Sequence, residues 1–328
     1  MGNTISILNA NTIELHYWLK DGSHSMDANV FNKCEYELLG IIKEISSTLK
    51  VQIEVETMPL GEGGVKAWLK CHEITGNQII LSVVLFLCTN VVGTPITTTL
   101  DYLTRKALDY VFEDPEIKAL EKEKKKEELK YDIAKLKHQT QLLCASINEN
   151  KIKKRKSNYF EEASKCKKIE KISVSITDNY KADCFNCKDI LATDFPLYIM
   201  TSDEIEPDND EQAIIEIVSP VLKKGKYMWV GIYNGNVIQF KMKSNEFKVL
   251  VQTGQIPFKN GSSIQCHLVT NKKISSEGEI KITGYEVIAV DKFFINETPI
   301  ETPEGKRRRR KREMEKKYPQ LNLFDEAT

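Results

Sequence analysis

Residues 79–93 read IILSVVLFLCTNVVG, and how this run is interpreted decides what the first half of the chain is. It sits within 27 consecutive uncharged residues, Ile74 to Leu100, in a chain that is 29% charged. As a helix rising ~1.5 Å per residue it would span about 22 Å, short of a ~30 Å hydrocarbon core unless its polar flanks are included. Two readings stand. One brings residues 74–100 into contact with lipid, as a span or as a re-entrant or interfacial segment. The other buries them as a core helix that ends around Asn90, Gly93 and Pro95. The sequence favours lipid, because a small head offers little mass to cover so long a charge-free stretch. A span would leave its C-terminal side in the cytoplasm, where Arg105, Lys106 and the lysines after Lys118 lie.

Upstream, residues 1–73 read as a small α/β head. Thr12 to Leu19 alternates with the period of a strand. Phe31, Leu38, Ile41, Ile42, Ile45 and Leu49 fall at helical spacings, and Val51 to Val55 alternates again. Gly61, Gly63 and Gly64 mark a turn. The opening MGNTIS fits the pattern for a myristoyl group on Gly2, and no secretory signal pattern is present.

Downstream, residues 101–170 are charged and helical. Leu129, Ile133, Leu136, Thr140, Leu143 and Ile147 recur at spacings of four and three. That stripe serves either self-association through residues 129–147 or packing on the chain's own head. KIKKRK, residues 151–156, reads as a solvated hinge. Residues 171–212 read as an acidic linker, since Asp189 to Glu216 holds nine acidic side chains and no basic one.

Residues 213–300 change to strand periodicity. Ala213–Val218, 226–233 and Val237–Lys243 are strand candidates, with Asn234-Gly235 as a hairpin turn. Ser244 caps a short helix through Val251, and Ile264–Thr270 and Glu279–Val290 supply further strands beside the turns at Gly261 and Gly278. About five strands and one helix predict a small barrel, SH3-like or OB-like. The fold class is therefore α+β: a small α/β head, an apolar helix, a charged helix and a C-terminal β barrel, followed by a basic flexible tail over residues 301–328.

The 47 basic and 47 acidic side chains cancel, so the molecule as a whole has no pull towards nucleic acid or anionic lipid. No Walker, dinucleotide, zincin or nucleophile-elbow motif occurs. In the head, Asp21, Ser23, His24, Asp27, Glu35, Glu54 and Glu56 could hold a metal or exchange protons, though such residues before a helix are also ordinary caps. The eight scattered cysteines read as reduced thiols of a cytoplasmic protein. Cys184 and Cys187 form one CxxC, half of a zinc site, with Cys166 and His267 as conceivable completions. No cofactor, metal or catalytic residue is assigned.

The tail carries the sharpest signal. After the basic run Lys306, Arg307, Arg308, Arg309, Arg310, Lys311 and Arg312, the residues Gln320, Leu321, Asn322, Leu323 and Phe324 spell QLNLF. This resembles the bacterial sliding-clamp-binding peptide, whose usual form is Gln-Leu-x-Leu-Phe. The resemblance covers five residues. It implies Leu323 and Phe324 as apolar anchors and Gln320 and Leu321 as further contacts. The basic run could reach DNA phosphates, or equally the acidic stretch of its own chain. The reading is a non-enzymatic interaction protein docking on the replication clamp. The alternatives are a membrane-associated protein with a cytoplasmic sensor or partner-binding β module, located at the inner membrane, and a metal-dependent enzyme using the head carboxylates.

Overall fold

A computed structural model describes residues 6–61, 65–74, 78–122, 126–178, 184–223, 225, 227–259, 261–295 and 298–317. The chain is mixed α+β and divides into two compact units, residues 1–201 with 274–279 and residues 202–273 with 280–328.

The first unit runs β1 (Ala10–Leu19), α1 (Ala28–Thr48), β2 (Ile53–Gly61), β3 (Val65–Glu73), α2 (Gln78–Gly93), α3 (Leu100–Phe112), α4 (Pro115–Lys122), α5 (Lys126–Cys144), α6 (Glu149–Lys165), β4 (Ile169–Asp178) and β5 (Cys184–Leu191). Its strands form one sheet in the order β2-β3-β1-β4-β5, with every neighbouring pair antiparallel. This is the split β-α-β-β-α-β arrangement, with its second crossover enlarged to five helices and a fifth strand added at one edge. Ile13, Leu15 and Tyr17 face the core, with Leu69, Ala67 and Val65 opposite them on β3 and Ile176, Val174 and Ile172 on β4. The two-residue period that makes β1 a strand also separates its apolar face from its polar one.

The 79–93 run is the central helix of this unit. In α2 every side chain from Leu81 to Val92 is buried, and no helix among the described residues is long and apolar enough to cross a membrane. The expectation of a membrane segment over residues 74–100 is thereby corrected. A helix that is apolar all round can be covered all round instead, and here α1, α3, the sheet and α6 do so. Most of its polar side-chain groups are satisfied within the helix, the buried Asn90 Oδ1 being an exception. Ser82 donates to the Gln78 carbonyl at 3.0 Å, Thr89 to Leu85 at 3.1 Å, and Asn90 Nδ2 to Phe86 at 2.8 Å.

Three further expectations concern the segments that follow. Of the stripe over residues 129–147, Ile133, Thr140 and Ile147 are buried within their own unit, in line with the alternative of packing on the chain's own head. Residues 151–156 are no hinge but part of α6. There Lys154 and Lys156 are buried, and Arg155 pairs with Glu37 of α1 at 3.0 Å. Residues 171–212 likewise form no linker, since β4, β5 and the start of the next strand occupy most of them.

The second unit runs β6 (Glu204–Ser219), β7 (Trp229–Tyr233), β8 (Asn236–Met242), α7 (Asn245–Gln252), β9 (Ser263–Ile274), β10 (Ile280–Ile295), β11 (Thr298–Glu301) and α8 (Pro303–Lys317). The strand order is β11-β10-β8-β7-β6-β9, and β9 also pairs with β10, which closes a five-stranded barrel. β8 and β10 are parallel, with Tyr285 opposite Phe240 and Val287 opposite Met242. β6 serves two neighbours. It pairs with β9 from Glu204 to Glu216 and with β7 from Glu216 to Ser219, and register shifts along it let it bend.

The β7–β8 turn uses Asn234 at φ 50° and Gly235 at φ 77°. Those left-handed values are what a tight hairpin needs, and they are why Asn-Gly is found there. Trp229 anchors the barrel core, with Phe240, Phe247 and Phe258 about it at ring separations of 6.2, 6.1 and 5.9 Å. Phe247 comes from α7, which Ser244 caps by accepting from the Phe247 amide.

Candidate functional site

The residues singled out in the basic run, Lys306 to Arg312, lie on α8 and not on a loose tail. The helix start is locked to β10. Thr302 Oγ1 donates to the Val290 carbonyl at 2.5 Å and accepts from the Gly305 amide at 2.9 Å. Glu304 accepts from Ser244 Oγ at 2.7 Å and from the Val290 amide at 3.0 Å. A Cβ at Gly305 would come within 2.1 Å of the Asp291 carbonyl oxygen, so only glycine allows so close an approach.

From there the arginines reach carboxylates. Arg307 pairs with Glu246. Arg308 meets Asp291 at 2.9 Å. Arg309 meets Glu301 at 2.9 Å and Glu313 at 3.1 Å. Arg312 meets Glu211 at 3.3 Å and Asp291 at 3.5 Å. Hydrogen bonds from the arginines hold the Glu246 and Glu301 carboxyls below their usual range. Lys311 faces Glu315 at 3.7 Å, while Lys306 and Arg310 make no ion pair among the described residues. Glu211 belongs to the acidic stretch, so one of the partners considered for the run is met within the chain. The peptide residues Gln320, Leu321, Leu323 and Phe324 lie outside the described residues, as does Gly2.

The polar residues of the head are not brought together. The Ser23 side chain, then Lys168 at 2.9 Å and the Ser23 amide, hold the Asp21 carboxyl well below the usual range. Asp27 caps α1, accepting from the Asn29 and Val30 amides at 2.7 and 3.3 Å. Glu35 faces Thr57 at 3.4 Å and Glu56 faces His72 at 3.1 Å. Among the described residues no group of three His, Cys, Asp or Glu side chains is placed to hold a metal.

Cys184 and Cys187 are joined in a disulfide on β5, which corrects the reading of all eight cysteines as free thiols. The other six are free. Burial pushes the thiols of Cys34 and Cys71 up to about 12. His267 belongs to the barrel unit, where it lies 3.2 Å from Asn209 Oδ1.

One constellation escaped the sequence reading. On the open face of the first sheet, Trp18 Nε1 donates to Ser173 Oγ at 2.8 Å, and Ser173 Oγ donates to Asp189 at 2.6 Å. Lys171 meets the same carboxylate at 2.8 Å and lies 4.7 Å from the centre of the Trp18 ring. His16 stacks on that ring at 3.8 Å. The indole is thus contacted by both its neighbours, and the group forms a satisfied polar ladder across three strands. The alternation in TIELHYWL places His16 and Trp18 on one face, but only the β1–β4–β5 register shows what they meet.

Comparison with known proteins returns no matching family model, no matching curated protein and no matching solved structure.

Proposed function

We propose that the chain is a non-enzymatic interaction protein whose C-terminal peptide, through Gln320, Leu321, Leu323 and Phe324, docks on a bacterial-type sliding clamp. The observation that carries this reading is the seat of α8. Its start is hydrogen-bonded to β10 and its arginines are ion-paired, so the peptide leaves from a fixed point on the barrel, its first contact residue three positions beyond Lys317. A short leash from a rigid element raises the effective concentration of the peptide near any site the barrel also touches.

The role of the basic run narrows in consequence. Arg307, Arg308, Arg309 and Arg312 hold the helix in place, and steering towards DNA phosphates falls to Lys306, Arg310 and Lys316. Within this reading the barrel is OB-like rather than SH3-like. Its first three strands form a meander, its third is parallel to its fifth, its fourth closes on its first, and its helix lies between the third and fourth.

The test is a titration of the full chain, and of a labelled peptide covering Tyr318–Thr328, with the clamp. The expected affinity is about micromolar, because ordering the peptide opposes binding. Leu323→Ala with Phe324→Ala should remove most of it. No detectable binding, or equal binding by the double variant, would reduce QLNLF to a chance match.

A further inference from the structure

We propose that the cleft between the β6–β7 loop and α7 binds single-stranded nucleic acid. The cleft holds about 300 Å³ and is bordered by Lys223, Tyr227, Asn245, Lys248 and Gln252, with the buried Trp229 as its floor. That volume takes one nucleotide base with its neighbours outside, and it cannot take a duplex.

Charge is the first argument. Several cations elsewhere on the barrel, though not Lys281 or Lys292 of β10, have carboxylate partners among the described residues. Lys241 and Lys243 face Glu286 at 3.7 and 3.6 Å, Lys273 faces Glu204 at 3.4 Å, and Lys272 pairs with Asp208. At the cleft this balance fails. Among the described residues no carboxylate lines it, and Lys223 and Lys248 make no ion pair, nor does Lys259, on an adjoining groove. An uncompensated cluster of this kind attracts a polyanion, with an affinity that falls as salt rises.

The second argument separates nucleic acid from an acidic peptide. Tyr227 is 63% exposed on the rim, lying against Gly225, where a Cβ would come within 2.7 Å of the ring. An exposed aromatic beside lysines is the pairing that holds single strands, the ring stacking a base while the ammonium groups follow the phosphates. Asn245 and Gln252 bring amides, each able to donate and accept at a base edge. A run of aspartates or glutamates would use the lysines and leave the ring and both amides idle.

The outer face of β7 and β8 does not compete for this role. Its side chains are aliphatic at Val230, Ile232 and Val237, and although Gln239 and the Glu286-facing Lys241 share that face, it offers no aromatic ring on which a base could stack.

The experiment is fluorescence anisotropy of a labelled oligothymidylate of about 12 nucleotides with the full chain, at about 50 and about 200 mM salt. Binding should weaken steeply between the two. Tyr227→Leu should lose about fivefold or more, while Tyr227→Phe keeps the stacking surface and the affinity. Lys223→Glu with Lys248→Glu should lose at least about tenfold and flatten the salt dependence. All of these side chains are at the surface, so thermal unfolding should be unchanged. No binding by the unaltered chain at low salt, or unchanged binding by either the Tyr227→Leu or the charge-reversed variant, overturns the proposal. So does displacement of the oligonucleotide by polyglutamate at equal charge, which would make the cleft an acidic-peptide site. The Leu323→Ala, Phe324→Ala chain should bind the oligonucleotide normally, so this site and the clamp peptide fail or succeed separately.

Discussion

Arg155 of α6 donates from Nη1 to Oε2 of Glu37 on α1 at 3.0 Å, with each side chain only 11% exposed. Asn158 takes the other carboxylate oxygen at 3.1 Å. A Cβ at Gly40 would stand 2.7 Å from Arg155 Nε, so the missing side chain there lets the guanidinium lie across α1. The pair joins the first crossover helix of the sheet to the last helix of the second.

Removing one partner of such a pair costs more than the pair contributes, because the other charge stays buried. Glu37→Ala should therefore destabilise the first unit by about 3 kcal/mol, read as a lower denaturant midpoint. Replacing both residues with apolar ones of similar volume should recover much of the loss. A single variant as stable as the unaltered chain would show that the pair is solvated.

Leu85 separates burial from lipid contact. It is fully buried in the middle of α2. Leu85→Ala should cost about 2–5 kcal/mol through the cavity it leaves. Leu85→Lys should abolish cooperative unfolding of the first unit in detergent-free buffer, since an unpaired ammonium cannot be accommodated there. A lysine variant that unfolds at the normal midpoint, yet detaches from membranes, would restore the lipid reading.

Lys156 gives the first unit a pH dependence. It is buried, donates to the Pro95 carbonyl at 3.2 Å, and its ammonium is pulled down to about 7 by burial and then by the charge of Lys153. The unfolded chain returns it to the usual 10.5. Between those values the unfolded state holds a proton that the native state has released, so stability rises with pH, by at most about 1.4 kcal/mol per unit. Below the lower value both states are protonated and the cost of the buried charge is fully present. Lys156→Met should accordingly be the more stable protein near neutrality, with a lead that shrinks as pH climbs from about 7 to about 10. A constant difference across that range would mean that the ammonium stays charged in the native state.

What was legible in the sequence follows from the range of each interaction. The Asn234-Gly235 turn, the Ser244 cap, the α1 stripe and the barrel strands are set by neighbours a few residues apart, and pattern alone reveals them. β3 is as legible, because Val65, Ala67, Leu69 and Cys71 alternate cleanly, but no strand was assigned between the turn at residues 61–64 and the end of the head at residue 73. That omission made the head look too small to cover α2. The cover comes from α3, α6, β4 and β5, as far as a hundred residues downstream, and no local pattern announces it. Charge misled in the same way. KIKKRK looks solvated until Glu37 and the Pro95 carbonyl are brought to it, and the arginine run looks free until Asp291 and Glu211 are. At the β6–β7 loop Lys223 was visible, but that it makes no ion pair among the described residues is a property of the fold.

The last prediction divides the basic helix into two halves by function. Asp291 is 9% exposed and meets both Arg308 and Arg312. Arg308→Gln with Arg312→Gln leaves that carboxylate buried without a cation, a loss of about 2–4 kcal/mol, and should lower the unfolding midpoint of the barrel. Lys306→Gln with Arg310→Gln removes as much charge but breaks no ion pair among the described residues, so stability should stay within about 0.5 kcal/mol. DNA binding should sort the other way. The Lys306 and Arg310 variant should lose salt-sensitive attachment, its slope against log salt falling by about one to two, while clamp binding by the isolated Tyr318–Thr328 peptide, which carries neither residue, is unaffected by definition and serves as the reference. Measured side by side, a barrel that ignores the loss of Arg308 and Arg312 would mean that α8 is held by Thr302, Glu304 and Gly305 alone. The arginines would then be available to phosphate after all.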